Sequence, residues 1–590
     1  MQTYTILIIA PMFFALTVLI SGHRIRDVLS IVFVAVLSAV SITEMLSPSN
    51  SLELILPHFL HNIFIFLDIV VLIYFLWQGI IKRNTLVTTF AITQIILFAF
   101  VIYLSPILLA NDILVDKISS IMYLVINIVG GVIIIYALGY IESEEFSRRK
   151  KNAFIAMLFF FLSIMNFIVS TNNIEIFFLL FELTALCSYI LIAYRGDELS
   201  NNNALTALWM NQIGGVAILL ALVVSITEYE TIYFDILIKN IDATYLLPIA
   251  LLAIAAFVKG ASIPFDKWLL GAMVAPTPVS AILHSATMVK IAPYLMLKLA
   301  PAITNGNGFA SMTITLIGTF VFLSASMLAL SKDYFKEILG LSTIALLGLM
   351  MALAAIGSEE SITACLVLIV FHAISKALLF FQAGILEKVN HLKYVKDING
   401  LVNHSPMVVF FIIIGFASLT LPPFGAFIAK FMAIESIATE ISKNPLYALA
   451  LIFIALGSVF LTLLYFKVVT KLFAKDVDAK KENYVQIPKL YMIPSSILVS
   501  LLIIGILVSF DMKLLSSMEI IVPSILIAIV PVLFASLLFK KAHRVKEYHC
   551  GEKEELSLSM YYFDISDRYK KIITAVAIVL MLILIVGAVL

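Results

Sequence analysis

Glu182, Lys259, His284, Lys290, Lys336, His372, Lys376 and Lys430 are acids and bases standing in stretches of sequence that are otherwise almost wholly apolar. A carboxylate, several amines and two imidazoles have one chemistry in common, the reversible binding of a proton. Burial disfavours the charged form of each type, so in an apolar setting all of them can exchange protons near neutral pH. A row of such groups would conduct. It would also be coupled, because a charge gained by one member alters the occupancy of its neighbours.

Spacing strengthens the reading. Glu182 lies about ten residues into the run that begins at Asn173, and Glu175 stands seven residues earlier on the same helical face. His372 and Lys376 are one helical turn apart in Phe371-His-Ala-Ile-Ser-Lys. Lys259 precedes Gly260-Ala-Ser-Ile-Pro264, and Lys430 follows Leu421-Pro422-Pro423-Phe-Gly-Ala-Phe-Ile-Ala. Proline inside a helix removes a backbone hydrogen bond, and broken helices persist at membrane depth where they line a cavity. The same device used twice suggests two structural repeats, each with its own half-channel. A lone intramembrane His or Lys also serves as interhelical glue. Lys336, close after Lys332 and Asp333, reads equally as an edge anchor, and Asp68 reads as structural, with no second charge near it in the sequence.

The elements that must position these groups are membrane helices. Of 590 residues, 62% are hydrophobic and 13% charged, and the mean hydropathy is +1.09. That surplus exceeds what one core can bury, so it must face lipid. At roughly 20 residues per span, little length remains for a soluble domain. The 38 basic and 37 acidic side chains nearly cancel, which argues against a nucleic-acid partner. Cys187, Cys365 and Cys550 are far apart and form no C-x-x-C pair, so no disulfide framework, zinc site or iron–sulfur site is expected from this chain, and no catalytic residue is assigned.

Apolar runs place eighteen spans, near 4–21, 26–45, 60–80, 86–109, 118–140, 153–170, 174–193, 204–227, 244–265, 276–299, 310–330, 337–357, 361–386, 406–432, 445–469, 490–510, 520–539 and 571–590. The expected fold is an all-α polytopic bundle of that size, with two inverted repeats containing broken helices. Loops after odd-numbered spans are basic, as in Arg148-Arg149-Lys150-Lys151 and Lys540-Lys541. Loops after even-numbered spans are acidic, neutral or uncharged, as in the 228–243 stretch and Glu359-Glu360. Cytoplasmic loops carry the basic excess, so both termini are expected on the outer face of the cell membrane. The first span has its arginines after it and reads as a retained anchor.

Between Asp116 and Lys430 the chain resembles the antiporter-like proton-translocating subunits shared by respiratory complex I, Mrp-type sodium/proton antiporters and membrane-bound energy-converting hydrogenases. The resemblance rests on an ordered series: Asp116-Lys-Ile-Ser-Ser, Phe181-Glu-Leu-Thr-Ala-Leu-Cys-Ser-Tyr, Lys259-Gly-Ala-Ser-Ile-Pro-Phe, Ala275-Pro-Thr-Pro-Val-Ser-Ala-Ile-Leu-His, Leu341-Ser-Thr, His372-Ala-Ile-Ser-Lys and Pro422-Pro-Phe-Gly-Ala-Phe-Ile-Ala-Lys. It implies that Glu182 and Lys259 form a switching ion pair. It further implies that His284, Lys336, His372 and Lys376 relay protons to Lys430; Lys290 joins the candidate pathway by its place within a span, and Glu175, Asp116 and Asp266 are candidate accessories.

Departures are visible. Gly271 and Val274 stand where relatives carry an acidic pair, Asp266 where many carry His, and Gln212-Ile-Gly-Gly215 where some carry Arg-x-Gly-Asp. Trp268 to Pro278 and Tyr548-His-Cys-Gly-Glu look most like the large antiporter-like subunit of Ech-type [NiFe]-hydrogenases.

The organisation implied is 1–115 as extra N-terminal helices, 116–270 and 271–469 as two antiporter-like halves, and 470–590 as C-terminal helices with a 541–570 connecting arm. That arm would span only about 45 Å if helical, short for a distal complex I subunit. The resemblance implies a non-catalytic subunit that moves protons, or exchanges them for sodium. Other membrane subunits and a peripheral hydrogenase-like arm would be its partners, and nickel–iron and iron–sulfur centres would lie in those partners. An Mrp-type antiporter subunit, a complex I-type pumping subunit and a non-conducting scaffold are the alternatives.

Overall fold

A computed structural model of the chain describes residues 2–46, 52–105, 110–241, 245–305, 308–473, 487–511 and 565–589. The expected span at 520–539 and residues 541–564 of the expected arm lie outside the described residues; the end of that arm, from Asp567, already belongs to the last helix.

The chain begins with α1 (Gln2–Ile20), α2 (His23–Leu46), α3 (His58–Ile81) and α4 (Thr85–Leu104). A helix interrupted by a π-helical turn follows, α5 (Lys117–Leu124) and α6 (Gly130–Glu142), and then α7 (Arg148–Ile168), α8 (Ile174–Ile192) and α9 (Glu198–Tyr229). The short α10 (Phe234–Asn240) leads to α11 (Leu247–Lys259), α12 (Asp266–Gly271), α13 (Thr277–Ala281) and α14 (Ile291–Thr304). The second half continues through α15 (Phe309–Leu330), α16 (Phe335–Ile356), α17 (Glu359–Lys388), α18 (Pro406–Thr420), α19 (Gly425–Glu440), α20 (Tyr447–Phe473), α21 (Lys489–Asp511) and α22 (Asp567–Gly587). A two-stranded antiparallel ribbon, Leu52–Leu54 with Ile113–Val115, closes one end.

Among the described residues, fifteen helical segments are long and apolar enough to cross a membrane; α1 and α11 are shorter apolar helices where spans were expected at 4–21 and 244–265. The bundle is graded from inside to outside. The Phe335–Ile356 span is wholly buried, whereas the α3, α4 and α22 spans are mostly exposed and present Phe66, Trp77, Ile96, Phe100 and Val579 outward. Exposed side chains of that kind suit lipid, which solvates them as well as a core would.

Charge sorts the two ends. At one, Glu144 pairs with Arg195 and Lys388, Arg26 with Glu142, and Lys332 with Glu337. At the other, Asp112 is bonded by Asn173, Glu53 by Asn111 and Asp235 by Asn172. These are the basic end and the acidic end below.

Both expected helix breaks are present. α11 runs from the acidic end and stops at Lys259, with Gly260 as its cap, before Ile263 and Pro264. α18 enters from the basic end and stops at Thr420, and α19 resumes at Gly425 beyond Pro422 and Pro423. The two broken spans therefore traverse the bundle in opposite directions. Each lysine sits on the half-helix of the acidic side. A third break corrects the expectation of a continuous helix at 276–299: residues Ile282–Ala286 form a π-turn carrying His284, and Met288–Lys290 form a 3₁₀ turn. Such turns recur at functional sites, where they re-aim a side chain.

α15 and α16 touch backbone to backbone. A β-carbon on Gly348 would lie 2.6 Å from the Gly318 carbonyl oxygen, and one on Gly318 would lie 2.5 Å from that of Gly348. Small residues permit this approach. Gly348→Val should cost about 1–3 kcal/mol by overpacking, seen as a lower heat-unfolding midpoint of the purified protein, whereas Val579→Ala on the exposed face of α22 should leave it nearly unchanged.

Candidate functional site

The middle of the bundle holds Glu182, Lys259, His284, Lys290, His372 and Lys376, each at 0% exposure, with Lys336 at 3% and Lys430 at 5%. The six at 0% exposure are wholly enclosed by protein, so each must be held by the protein.

Lys259 is the last residue of α11, where the partial negative charge of a helix C-terminus favours an ammonium. Its Nζ donates to the Phe181 carbonyl at 3.1 Å and lies 3.7 Å above the Phe181 ring. The expected contact ion pair with Glu182 is not formed. No nitrogen–oxygen approach within 4.0 Å joins the two, and they interact through the field between them. The physical reason is that Glu182 has another partner: its Oε1 accepts from Gln94 Nε2 of α4 at 2.8 Å, while Oε2 has none. Gln94 is fixed in turn by the Gln212 carbonyl at 3.3 Å.

Gly215 makes this possible. A β-carbon there would stand 1.9 Å from Glu182 Oε1 and 2.3 Å from Gln94 Nε2. The Gln212-Ile-Gly-Gly215 sequence is thus the floor on which α4 reaches Glu182.

Further along, Lys290 Nζ and His372 Nδ1 approach to 2.7 Å, one of the two supplying the hydrogen. His372 Nε2 has no hydrogen-bond partner. His284 packs on Phe380 with ring centroids 4.9 Å apart, and neither of its ring nitrogens has a well-aligned partner. Lys376 turns toward α16, donating to the Leu339 carbonyl at 3.1 Å and to Ser342. Lys376 is felt electrostatically by His284 and His372, and Lys290 by His372 and Lys376.

The row ends differently at its two sides. Lys336 pairs with Glu387, which the sequence reading missed, at a small cavity lined also by Tyr334 and Lys393 near the basic end. Glu387 is eleven residues, three turns, beyond Lys376 on α17, and that interval was its available signal. Lys430 stands apart on α19, and no hydrogen bond joins it to another member of the row among the described residues.

The accessory residues divide. Glu175 accepts from Ser105 at 2.9 Å. Asp266 begins α12 near Lys267 and Lys332 at the basic end. Asp116 caps α5 through the Ser119 N–H at 2.8 Å and pairs with Lys298 at 2.6 Å. Burial opposes its charge, but Lys298 and the Ser119 donors outweigh that and hold the carboxyl below its ordinary range. Asp68 corrects its own description: although isolated in sequence, it is buried within the electrostatic reach of Glu175 and Glu182.

Comparison with known proteins places this geometry. The family described as "NADH:quinone oxidoreductase/Mrp antiporter, TM" matches residues 171–462, and the one described as "NADH-Ubiquinone oxidoreductase (complex I), chain 5 N-terminus" matches 107–149. Together the matches take in every residue of the row. The chain belongs to this antiporter-like membrane-subunit family.

Na(+)/H(+) antiporter subunit A1 of Staphylococcus haemolyticus is 30% identical over 358 residues, which cover 57% of this antiporter-like chain and 44% of the relative. The same subunit of Staphylococcus aureus strain JH9 is 29% identical over 353 residues, 56% and 43% of the two. The chain thus matches less than half the length of these relatives. Among solved structures, a chain of the membrane-bound sulfane sulfur reductase, an archaeal respiratory membrane complex, shares the fold with a TM-score of 0.71, at 17% identity, over 88% of this chain and 96% of the other.

Two predictions follow from the local geometry. Gly215→Ala and Gln94→Ala should each lower stability by about 1–3 kcal/mol, and the double variant should cost less than their sum, since both break one contact; unfolding midpoints of the purified chain would measure this. For Asp116, a lowered folded pKa means stabilisation that is present above the unfolded value of about 3.9 and lost as pH falls through the folded one. Lys298→Met should flatten that acid limb of the unfolding midpoint against pH.

Proposed function

We propose that this antiporter-like chain conducts protons through its buried row, as one membrane subunit of a larger complex. The observation that carries the reading is the contact between Lys290 and His372, two bases at 0% exposure that, among the described residues, form no ion pair with a carboxylate. Two buried bases in contact cannot both hold an extra proton cheaply, so one proton is shared and its position answers to charge nearby.

In this reading Glu182 and Lys259 form the switch. Their separation in the present conformation leaves Lys259 held by the Phe181 carbonyl and ring, from which a change of charge at a neighbouring subunit would draw it toward Glu182. His284, Lys290, His372 and Lys376 are the relay, Lys430 the exchange site of the second broken helix, and Lys336 with Glu387 the approach from the basic end. The basic end faces the cytoplasm and the membrane is the cell membrane, on the loop-charge argument.

The complex would be a redox-driven one of the energy-converting hydrogenase kind, with nickel–iron and iron–sulfur centres in partner chains. The archaeal respiratory structure sharing the fold supports assembly into a multi-subunit membrane complex. An Mrp-type sodium/proton exchange subunit is the second reading, favoured by the sequence identity to the staphylococcal subunits.

Membrane vesicles bearing the assembled complex test conduction. Glu182→Gln and Lys259→Ala should each reduce gradient-driven proton uptake at least about tenfold without loss of assembled protein. Uptake equal to the unsubstituted complex in both variants would leave the chain a scaffold.

A further inference from the structure

Helices α3 and α4 lie ahead of the residues that match the family, and their buried face carries Asp68, Gln78 and Gln94 among its apolar residues. α3 packs beside α8, and both helices start at the acidic end. His61 and Glu175 occupy their first turns. His61, 23% exposed, places Nε2 3.2 Å from Asp112 Oδ2, and Glu175 accepts from Ser105, just beyond the end of α4.

Seven residues deeper on each helix, about 10 Å along the axis, stand Asp68 and Glu182. Asp68 is 3% exposed and its Oδ1 has no hydrogen-bond partner; Glu182 Oε2 has none either. Among the described residues no Lys, Arg or His forms an ion pair with Asp68, so it is not a charge neutralised for packing. An ionisable group at membrane depth costs at least about 2.5 kcal/mol, and an Asn or a Leu would fill the same place on α3 without that cost.

We propose that α3 and α4 add a proton entry of their own, running from His61 and Asp112 at the acidic end through Glu175 to Asp68 and from there to Glu182. The first transfer breaks an N–H bond on His61 and each later one an O–H bond on the donor carboxyl, every transfer forming an O–H bond on the acceptor carboxylate, directly or through water, so the donor becomes the next acceptor and no electrons move. Gln94 holds one oxygen of Glu182 and leaves the other free to receive. This branch rests on the reading of the chain as a proton conductor, and Glu182→Gln is the control that separates the two.

In vesicles bearing the assembled complex, in sodium-free buffer, Asp68→Asn and Glu175→Gln should each cut proton uptake about tenfold, while Asp68→Glu retains most of it. If both amide variants match the unsubstituted complex while Glu182→Gln is inactive, the branch is overturned; if Glu182→Gln is active as well, the conduction reading falls and the branch with it. Infrared spectra of the purified full chain give a readout that a packing role would not move. The carboxyl band absent from Asp68→Asn should shift on transfer to D₂O, and a band that fails to exchange would overturn the proposal.

Discussion

The cost of holding charge where water is excluded is the constraint on which the rest of this structure depends. Inside the bundle the fold places several bases and few acids, and it meets their demand for partners with scarce resources: a carbonyl and a ring for Lys259, an amide for Glu182, a carbonyl and a hydroxyl for Lys376. None of these partners carries a full opposite charge. Fully matched ion pairs would trap their protons, whereas dipoles hold a charged group in place and let it lose its charge.

Irregular backbone is concentrated where those dipoles are needed. Helix ends at Lys259 and before Gly425, and the π-turn at His284, expose carbonyls and amides at mid-depth that a regular helix would consume. Such exposure is tolerated in a membrane only inside protein, and here it lies among largely buried helices, of which α16 is wholly so. The two broken spans run in opposite directions, so both lysines come to lie on the acidic side of their breaks although they stand on opposite sides of those breaks in sequence.

Much of this was legible in the residues. Apolar runs gave the spans, prolines gave two of the three breaks, and alternating loop charge gave the two ends, the basic one tied together in space by Glu144, Arg195 and Lys388. The third break was hidden because Ile282–Ala286 carries no glycine or proline. The helix pair α3 and α4 was visible as two spans, yet its contribution to Glu182 was not, because Gln94 is an uncharged residue in an apolar run and its partner lies 88 positions away. Glu387 escaped notice at the end of a span, where a carboxylate is commonplace.

By itself the sequence determined depth: hydropathy fixes which residues lie in the membrane, and a buried acid or base declares itself there by its cost. Only the tertiary structure decided company. Which way a side chain points about its helix axis depends on how helices cross and on single-residue insertions such as the π-turn, which rotates all that follows by about 100°. Lys290 and His372, 82 positions apart, meet through that rotation and packing, and Glu182 faces Gln94 because Gly215 has no side chain to stand between them.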